Sequence, residues 1–177
     1  MHKKITEFLK KHSDKCPKGS LILDIGSLNV NGNAAQVLPV TVGVDMREGK
    51  GVDLVCNGED LLKHFDKNYF DVIVTTDTLE HVKYWREFLI GAWSVLKPDG
   101  IFIATIASKR KGRHAYPDDY WRLEKHHLIK IFGDLEDYQD LGISTGWVVR
   151  KFKDDLGDLK DIHLDPVDKK VPKELLG

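Results

Sequence analysis

An open, mostly parallel α/β sheet with helices on both faces is the fold this chain predicts. Three observations carry that expectation. Strand-like and helix-like stretches alternate along most of the sequence, as right-handed crossovers between parallel strands require. Continuous β-branched runs such as Val72-Ile73-Val74 suit strands buried on both faces. Strands also end on polar residues and glycine-bearing loops, as in "LILDIGSLNVNG" at residues 21–32. Open sheets of this kind hold ligands at the carboxyl ends of their strands.

The elements follow in order. "ITEFLKKH" reads as a short amphipathic helix with Ile5, Phe8 and Leu9 on one side, broken by "CPKGS". "LILDI" is the first strand. "AAQVL" supplies one or two helical turns before Pro39 stops them. "VTVGVD" is the second strand, ending on Asp45, and "VDLVC" is the third. "EDLLKHF" is a helix and "FDVIVTT" the fourth strand. Residues 80–97 form the clearest helix, because Val82, Trp85, Phe88, Leu89, Trp93 and Leu96 recur at three- and four-residue spacing. "KPDG" stops it in turn order. "IFIATIA" is the fifth strand, "SKRKGRHAYPDDYW" a long polar loop, and "RLEKHHLIKIF" another helix. Strands near "YQDLGI" and "GWVVRKF" complete the set. One domain spans residues 1–153, and the charged, weakly patterned tail at 154–177 is expected to be largely loose.

Composition narrows the classes. A chain of 177 residues suits one domain with a sizeable core. Hydrophobic content of 41% with 31% charged residues marks a globular protein rather than a disordered one. A net charge of -1 provides no global field towards nucleic acid or anionic membrane, so neither is an expected partner. Cys16 and Cys56 are too few for a disulfide framework or a zinc cluster, and no metal is expected. Neither a signal peptide pattern nor a membrane-spanning run is evident, so a cytoplasmic setting is expected.

The first loop carries the functional question. Gly26 lets backbone approach a ligand. Asp45 ends the next strand 21 positions after Asp24, where a carboxylate can accept bonds from both hydroxyls of a ribose. Three adenosine-like ligands compete. A dinucleotide asks for Gly-x-Gly-x-x-Gly, and the stretch from Gly26 to Gly32 lacks that spacing. A nucleoside triphosphate asks for a Gly-Lys-Ser/Thr loop, which is absent. S-adenosylmethionine has ribose and adenine but no phosphate, and suits a looser loop ending in acids. Against all three, Gly26, Asn29 and Asn31 could simply build a turn; Asp45 favours a ligand.

"ILDIGSLNVNG", "VGVDM", "FDVIVTTDTLEHV", "LKPDGIFIAT" and "HAYPDDYWRL", in this order and spacing, resemble the class I S-adenosylmethionine-dependent methyltransferases, and among them the type 11 group. The resemblance covers roughly residues 20–150. It implies a Rossmann-like sheet of seven strands with a reversed final hairpin. It also implies that Asp24, Gly26, Ser27 and Gly32 surround the methionine part of the cofactor and that Asp45 holds the ribose. Met46 would pack on the adenine and Asn57 would face the adenine amino group, where relatives often have aspartate. Gly58 would offer backbone beside it, and Thr76 would face the methionine amino group. Many relatives have Gly-x-Gly in the first loop; here Leu28 takes the second position.

Methyl transfer requires an acceptor aligned with the methyl–sulfur bond and water kept out. A hydroxyl acceptor gains from a base within reach. His114 and Asp119 are the leading candidates, and His81 in "LEHV" is either a base or a wall of the pocket. Tyr116, Tyr120 and Arg122 are candidates for holding the acceptor, or else anchors of the loop. His126 and His127 lack metal-ligand spacing and read as surface residues. "KRKGRH" collects cations where substrate enters, which suits an acidic acceptor such as a phosphorylated or uronic sugar. The absence of a large inserted cap fits an extended acceptor. A cofactor-binding partner subunit without catalysis is the alternative. The acceptor itself and the oligomeric state are left open.

Overall fold

The computed structural model describes residues 1–114, 118–157, 159–164 and 167. Five strands run parallel: β1 (Ile22–Ile25), β2 (Val42–Asp45), β3 (Leu54–Val55), β4 (Phe70–Thr76) and β5 (Leu96–Ala107). The chain then folds β6 (Asp137–Asp140) and β7 (Ser144–Arg150) into a hairpin, with β7 antiparallel to β5. The sheet order is β3-β2-β1-β4-β5-β7-β6. The chain moves outward from β1 to β3 and returns to β4 on the other side of β1. The carboxyl ends of β1 and β4 therefore flank a topological switch point, where a crevice opens.

Strand alternation divides the apolar residues between two cores. Val72 and Val74 of β4 face the core under α1 (Lys3–Lys11), with Ile5, Phe8 and Leu9 packed on Ile22, Ile103 and Val148. Ile73 faces the opposite core, where α2 (Trp85–Val95) and α3 (Lys125–Phe132) meet Leu23, Phe102 and Trp147. Phe8 crosses β7 at Gly146, where a Cβ would stand 2.9 Å from the ring. Among the described residues no helix is long and apolar enough to cross a membrane.

The structure differs from the sequence expectation in four places. The helix expected over residues 80–97 is shorter: Leu79–His81 make a 3-10 turn and Val82 is extended, so α2 starts at Trp85. At the other end Leu96 leaves the helix and pairs with Phe70 as a strand residue. "AAQVL" makes its one helical turn, over Ala34–Gln36, but "EDLLKHF" forms a 3-10 helix over Gly58–Lys63 rather than an α-helix. His127 is no plain surface residue, since its Nδ1 accepts the Glu124 N–H at 3.1 Å and closes a capping box on α3. Finally, the described part of the tail is packed rather than loose. Leu159, Ile162 and Leu164 are buried, and Arg86 donates from Nε to the Leu159 carbonyl and from Nη2 to the Ile162 carbonyl, both at 3.0 Å. The rest of the tail lies outside the described residues.

Trp85 and Trp93 share the buried face of α2, and the Trp93 indole N–H donates to the Lys153 carbonyl at 3.0 Å. Trp85→Ala and Trp93→Ala should each cost about 3–5 kcal/mol of stability by urea denaturation. Trp93→Phe, which keeps most of the apolar area, should cost clearly less than Trp93→Ala.

Candidate active site

A cleft of about 1040 Å³ opens over the carboxyl ends of β1, β2 and β4. Of the residues singled out from sequence, Gly26, Gly32, Asp45, Met46, Asn57, Gly58, Thr76, His81 and Tyr120 line it. The sequence reading missed Met1, His2 and Ile5, which bring the start of α1 to the rim, and Asp77 and Thr78, which follow β4.

Local geometry explains why the first loop takes its course. Gly26 has φ +84°, and a Cβ there would collide with the Thr78 side chain. Its N–H and that of Ser27 donate to the Val44 carbonyl at 2.8 and 3.0 Å, so the loop hangs from β2. Asn29 Oδ1 accepts the Gly32 N–H at 2.9 Å and closes the turn. Leu28 fits where relatives carry glycine because Gly49 lies against it; a Cβ on Gly49 would strike Leu28 Cδ1. The compactness lost at one position is recovered across the loop.

Two acids stand beside this loop in opposite circumstances. Asp45 lies on the cleft wall, with Oδ1 accepting the Arg47 N–H at 3.0 Å and Oδ2 facing the Leu28 N–H at 3.4 Å. A carboxylate oxygen has lone pairs to spare after one such bond. Asp24 is 1% exposed, and neither of its oxygens has a hydrogen-bond partner. Burial pushes its carboxyl up to about 7; the Ala34 backbone N–H pulls it down, and the charge of Asp45 adds to the rise. Ser27 Oγ is likewise buried and unpartnered. Asp24 and Ser27 thus stand behind the cleft wall rather than on it.

The opposite wall comes from the turn after β4 and the loop after β5. His81 donates from Nδ1 to the Asp118 carbonyl, which leaves Nε2 as the acceptor nitrogen. Burial, above all, holds the pKa of His81 below the usual imidazole range, so the ring is neutral at pH 7. His114 stands edge-on to it with ring centroids 4.8 Å apart, one layer behind the cleft. Asp119 is not where the sequence reading put it. It is fully buried and clasped by Arg122 through Nη1 and Nη2, and it takes the His114 backbone N–H at 3.0 Å. Burial works against its ionisation, but Arg122 and that amide outweigh burial and hold its carboxyl below the usual range. A carboxylate so engaged anchors the loop and does not reach an acceptor. Arg122 also binds the Ser108 carbonyl at 3.1 Å, so it too is a fastening. Tyr120 reaches the cleft with its hydroxyl donating to Asp118 Oδ2 at 3.1 Å. Tyr116 lies outside the described residues. Beyond this loop Lys109, Lys111, Arg113, Arg122 and His127 line a second hollow of about 290 Å³.

A family model described as a methyltransferase domain matches residues 1–151. The chain belongs to this family. The fold is similar to that of a SAM-dependent methyltransferase from Archaeoglobus fulgidus, with TM-score 0.63 and 14% identity over 83% of this chain and 93% of that one. It is similar also to the 1,6-didemethyltoxoflavin-N1-methyltransferase of Burkholderia thailandensis, solved with S-adenosylhomocysteine, with TM-score 0.62 and 16% identity over 85% and 78% of the two chains. The YcgJ protein from Bacillus subtilis aligns at TM-score 0.51 and 21% identity, over 60% of this chain and only 52% of its own length. No curated protein sequence matches the chain.

As a class I methyltransferase the chain uses S-adenosylmethionine. The site passes a chemical test for that cofactor. A buried acid with no close hydrogen-bond partner, Asp24, sits behind the loop that lines the cleft, and such a group favours a nearby cation. The cofactor carries two, its sulfonium and its ammonium.

The raised pKa of Asp24 has a consequence for stability. The folded value of about 7 lies above the ordinary value of 3.8, so the unfolded chain loses this proton first. Burying the carboxylate therefore costs stability that grows from about pH 4 to pH 7 and persists above. Without cofactor, Asp24→Asn should melt higher than the wild type at pH 8, by about 2–4 °C for each kcal/mol regained. The two should melt alike at pH 4. Scanning calorimetry at the two pH values checks this.

Proposed function

We propose that the chain methylates a hydroxyl of an extended, anionic acceptor, with a phosphorylated or uronic sugar as the best-fitting chemistry. One observation carries the reading: His81, a neutral imidazole with Nε2 left as its acceptor nitrogen, lines the cleft. A hollow lined with cations behind the same loop supports an anionic acceptor. The type 11 grouping rests on the strand-end motifs, and the cytoplasmic setting on two free, buried cysteines.

In this reading Asp45 receives the ribose hydroxyls, Met46 covers the adenine and Asn57 meets its amino group, with Gly58 beside it. Gly26, Gly32 and Thr76 surround the methionine part, and Asp24 and Ser27 stabilise its charge from behind. The cofactor supplies a methyl group on a positively charged sulfur. His81 then relieves the acceptor hydroxyl of its proton at Nε2, and the Asp118 carbonyl steadies the ring as it gains charge. Tyr120 orients the acceptor. His114 lies against His81, and Asp119 with Arg122 fixes the loop that carries it. Lys111 and Arg113 draw the acceptor's anionic group.

Labelled methyl transfer against paired anionic and neutral acceptors tests the proposal, and transfer confined to neutral acceptors overturns it. His81→Gln should lower single-turnover transfer by about 10²–10⁴-fold while cofactor affinity holds. Asp45→Ala should do the reverse. It removes charge-assisted bonds of about 1.5–3 kcal/mol each, so calorimetry should show cofactor affinity at least tenfold weaker.

A further inference from the structure

Glu80, His81 and His114 bring one carboxylate oxygen and two imidazole nitrogens within 4.8 Å of one another. We propose that these three side chains bind one divalent transition-metal ion beside the cleft that His81 lines. The sequence does not announce such a site. Glu80 and His81 are adjacent, and His114 follows 33 positions after His81 on a different loop.

Each ligand is prepared for the role. Glu80 is 0% exposed; Oε1 accepts the Ala107 N–H at 3.2 Å, and Oε2 has no partner. Burial pushes the Glu80 carboxyl up to about 8, and a cation that displaced its proton would give Oε2 the partner it lacks. Both ring nitrogens of His114 are buried, and neither meets a close hydrogen-bond partner in good alignment, although the Gly112 backbone lies near enough to raise its pKa slightly against the lowering by burial. Its Nε2 stands 3.8 Å from Glu80 Oε1, and its Nδ1 lies 3.0 Å from Asp119 Oδ2 in an alignment that forms no hydrogen bond. His81 gives its Nδ1–H to the Asp118 carbonyl, so Nε2 holds the lone pair, which is how metal-bound imidazoles are oriented.

Two positive side chains lie nearby, and each has a carboxylate of its own. Arg122 is paired with Asp119, and Lys111 stands 3.8 Å from Asp77. Asp77 in turn accepts bonds from Thr105 at 2.9 Å and Ser144 at 3.0 Å, which hold it away from the trio. Glu80 has only His114 within ion-pair distance among the described contacts. Two nitrogens and one oxygen, with positions left open, suit manganese, cobalt, zinc or iron(II) rather than the all-oxygen shells of calcium and magnesium.

The purpose of the ion rests on the methyl-transfer reading. A hydroxyl beside such a cation ionises more readily. Its proton leaves to solvent, and its oxygen forms the new carbon–oxygen bond as the methyl–sulfur bond breaks. The electron pair of that bond stays on sulfur, and the sulfonium charge disappears. In this state His81 Nε2 acts through the ion instead of taking the proton itself.

The test is direct binding to metal-stripped protein, with Co²⁺ followed by visible absorption and Mn²⁺ by calorimetry. Wild-type protein should take up one equivalent. Glu80→Gln, which keeps an acceptor for Ala107, and His114→Asn should each weaken uptake at least about tenfold. His126→Asn, in the separate group of Glu124, His126 and His127 on α3, should leave it unchanged. No uptake of either ion, or uptake lost only with His126→Asn, overturns the inference. Titration with S-adenosylhomocysteine on the same samples separates the two readings and shows that the variants are folded. Cofactor binding without metal uptake removes the ion alone. Metal uptake at the trio without cofactor binding upholds the ion and removes the methyl-transfer reading.

Discussion

Three strand ends must stop at one level for the cleft to exist, and the turn at Gly26 is what joins them. Its amide and that of Ser27 hang on Val44 at the end of β2. The Thr75 hydroxyl donates to the Ile25 carbonyl at 2.8 Å and ties β4 to β1 just beneath. Thr78, leaving β4, fills the space that a side chain at position 26 would need. Loosening this knot would free β1, β2 and β4 from one another at the edge where every proposed contact lies. The constraint is steric before it is chemical, because the turn needs both a positive φ and no Cβ.

Around that knot the fold sets two buried aspartates to opposite purposes. Asp119 is enclosed with a guanidinium that neutralises it, so its charge is already spent on holding a loop. Asp24 is enclosed with only the Ala34 N–H to relieve it, and its proton is retained to about pH 7. A buried ion pair adds little net stability but fixes geometry. An unpaired buried carboxylate subtracts stability and holds its charge ready for a cation. The same side chain serves as a rivet in one place and as a latent electrode in the other.

Much of the frame was legible because it depends on local pattern. The parallel strands and β7 were visible in apolar runs and their stops, β6 (Asp137–Asp140) only by its place before β7, and Gly26 and Asp45 were marked by their places at strand ends. What stayed hidden depends on contacts between distant segments. The helix expected over residues 80–97 keeps its periodicity throughout, yet both ends leave it, since Leu96 pairs with β4 and Val82 turns along the cleft. Glu80 reads as an ordinary first-turn acid, and only the fold shows it buried opposite His114. The pairing of Asp119 with Arg122 is three residues apart and could have been suspected; the burial that makes it an anchor could not. Arg86 reaches the tail 73 and 76 residues away, a separation that no window on the sequence spans.

The four tryptophans give the molecule an optical division that follows its architecture. Trp93 and Trp147 share an aromatic cluster with Phe132, at centroid distances of 5.3 and 5.0 Å, on the side of α3. Trp121 hangs instead from the Val82 carbonyl at 2.9 Å, next to residues that line the cleft. All four indoles are buried, so the emission of the folded chain sits to the blue and is poorly quenched from solution. With Trp85 and the clustered pair replaced by phenylalanine, the remaining light comes from Trp121 beside the cleft, and the protein carries its own reporter of what enters there.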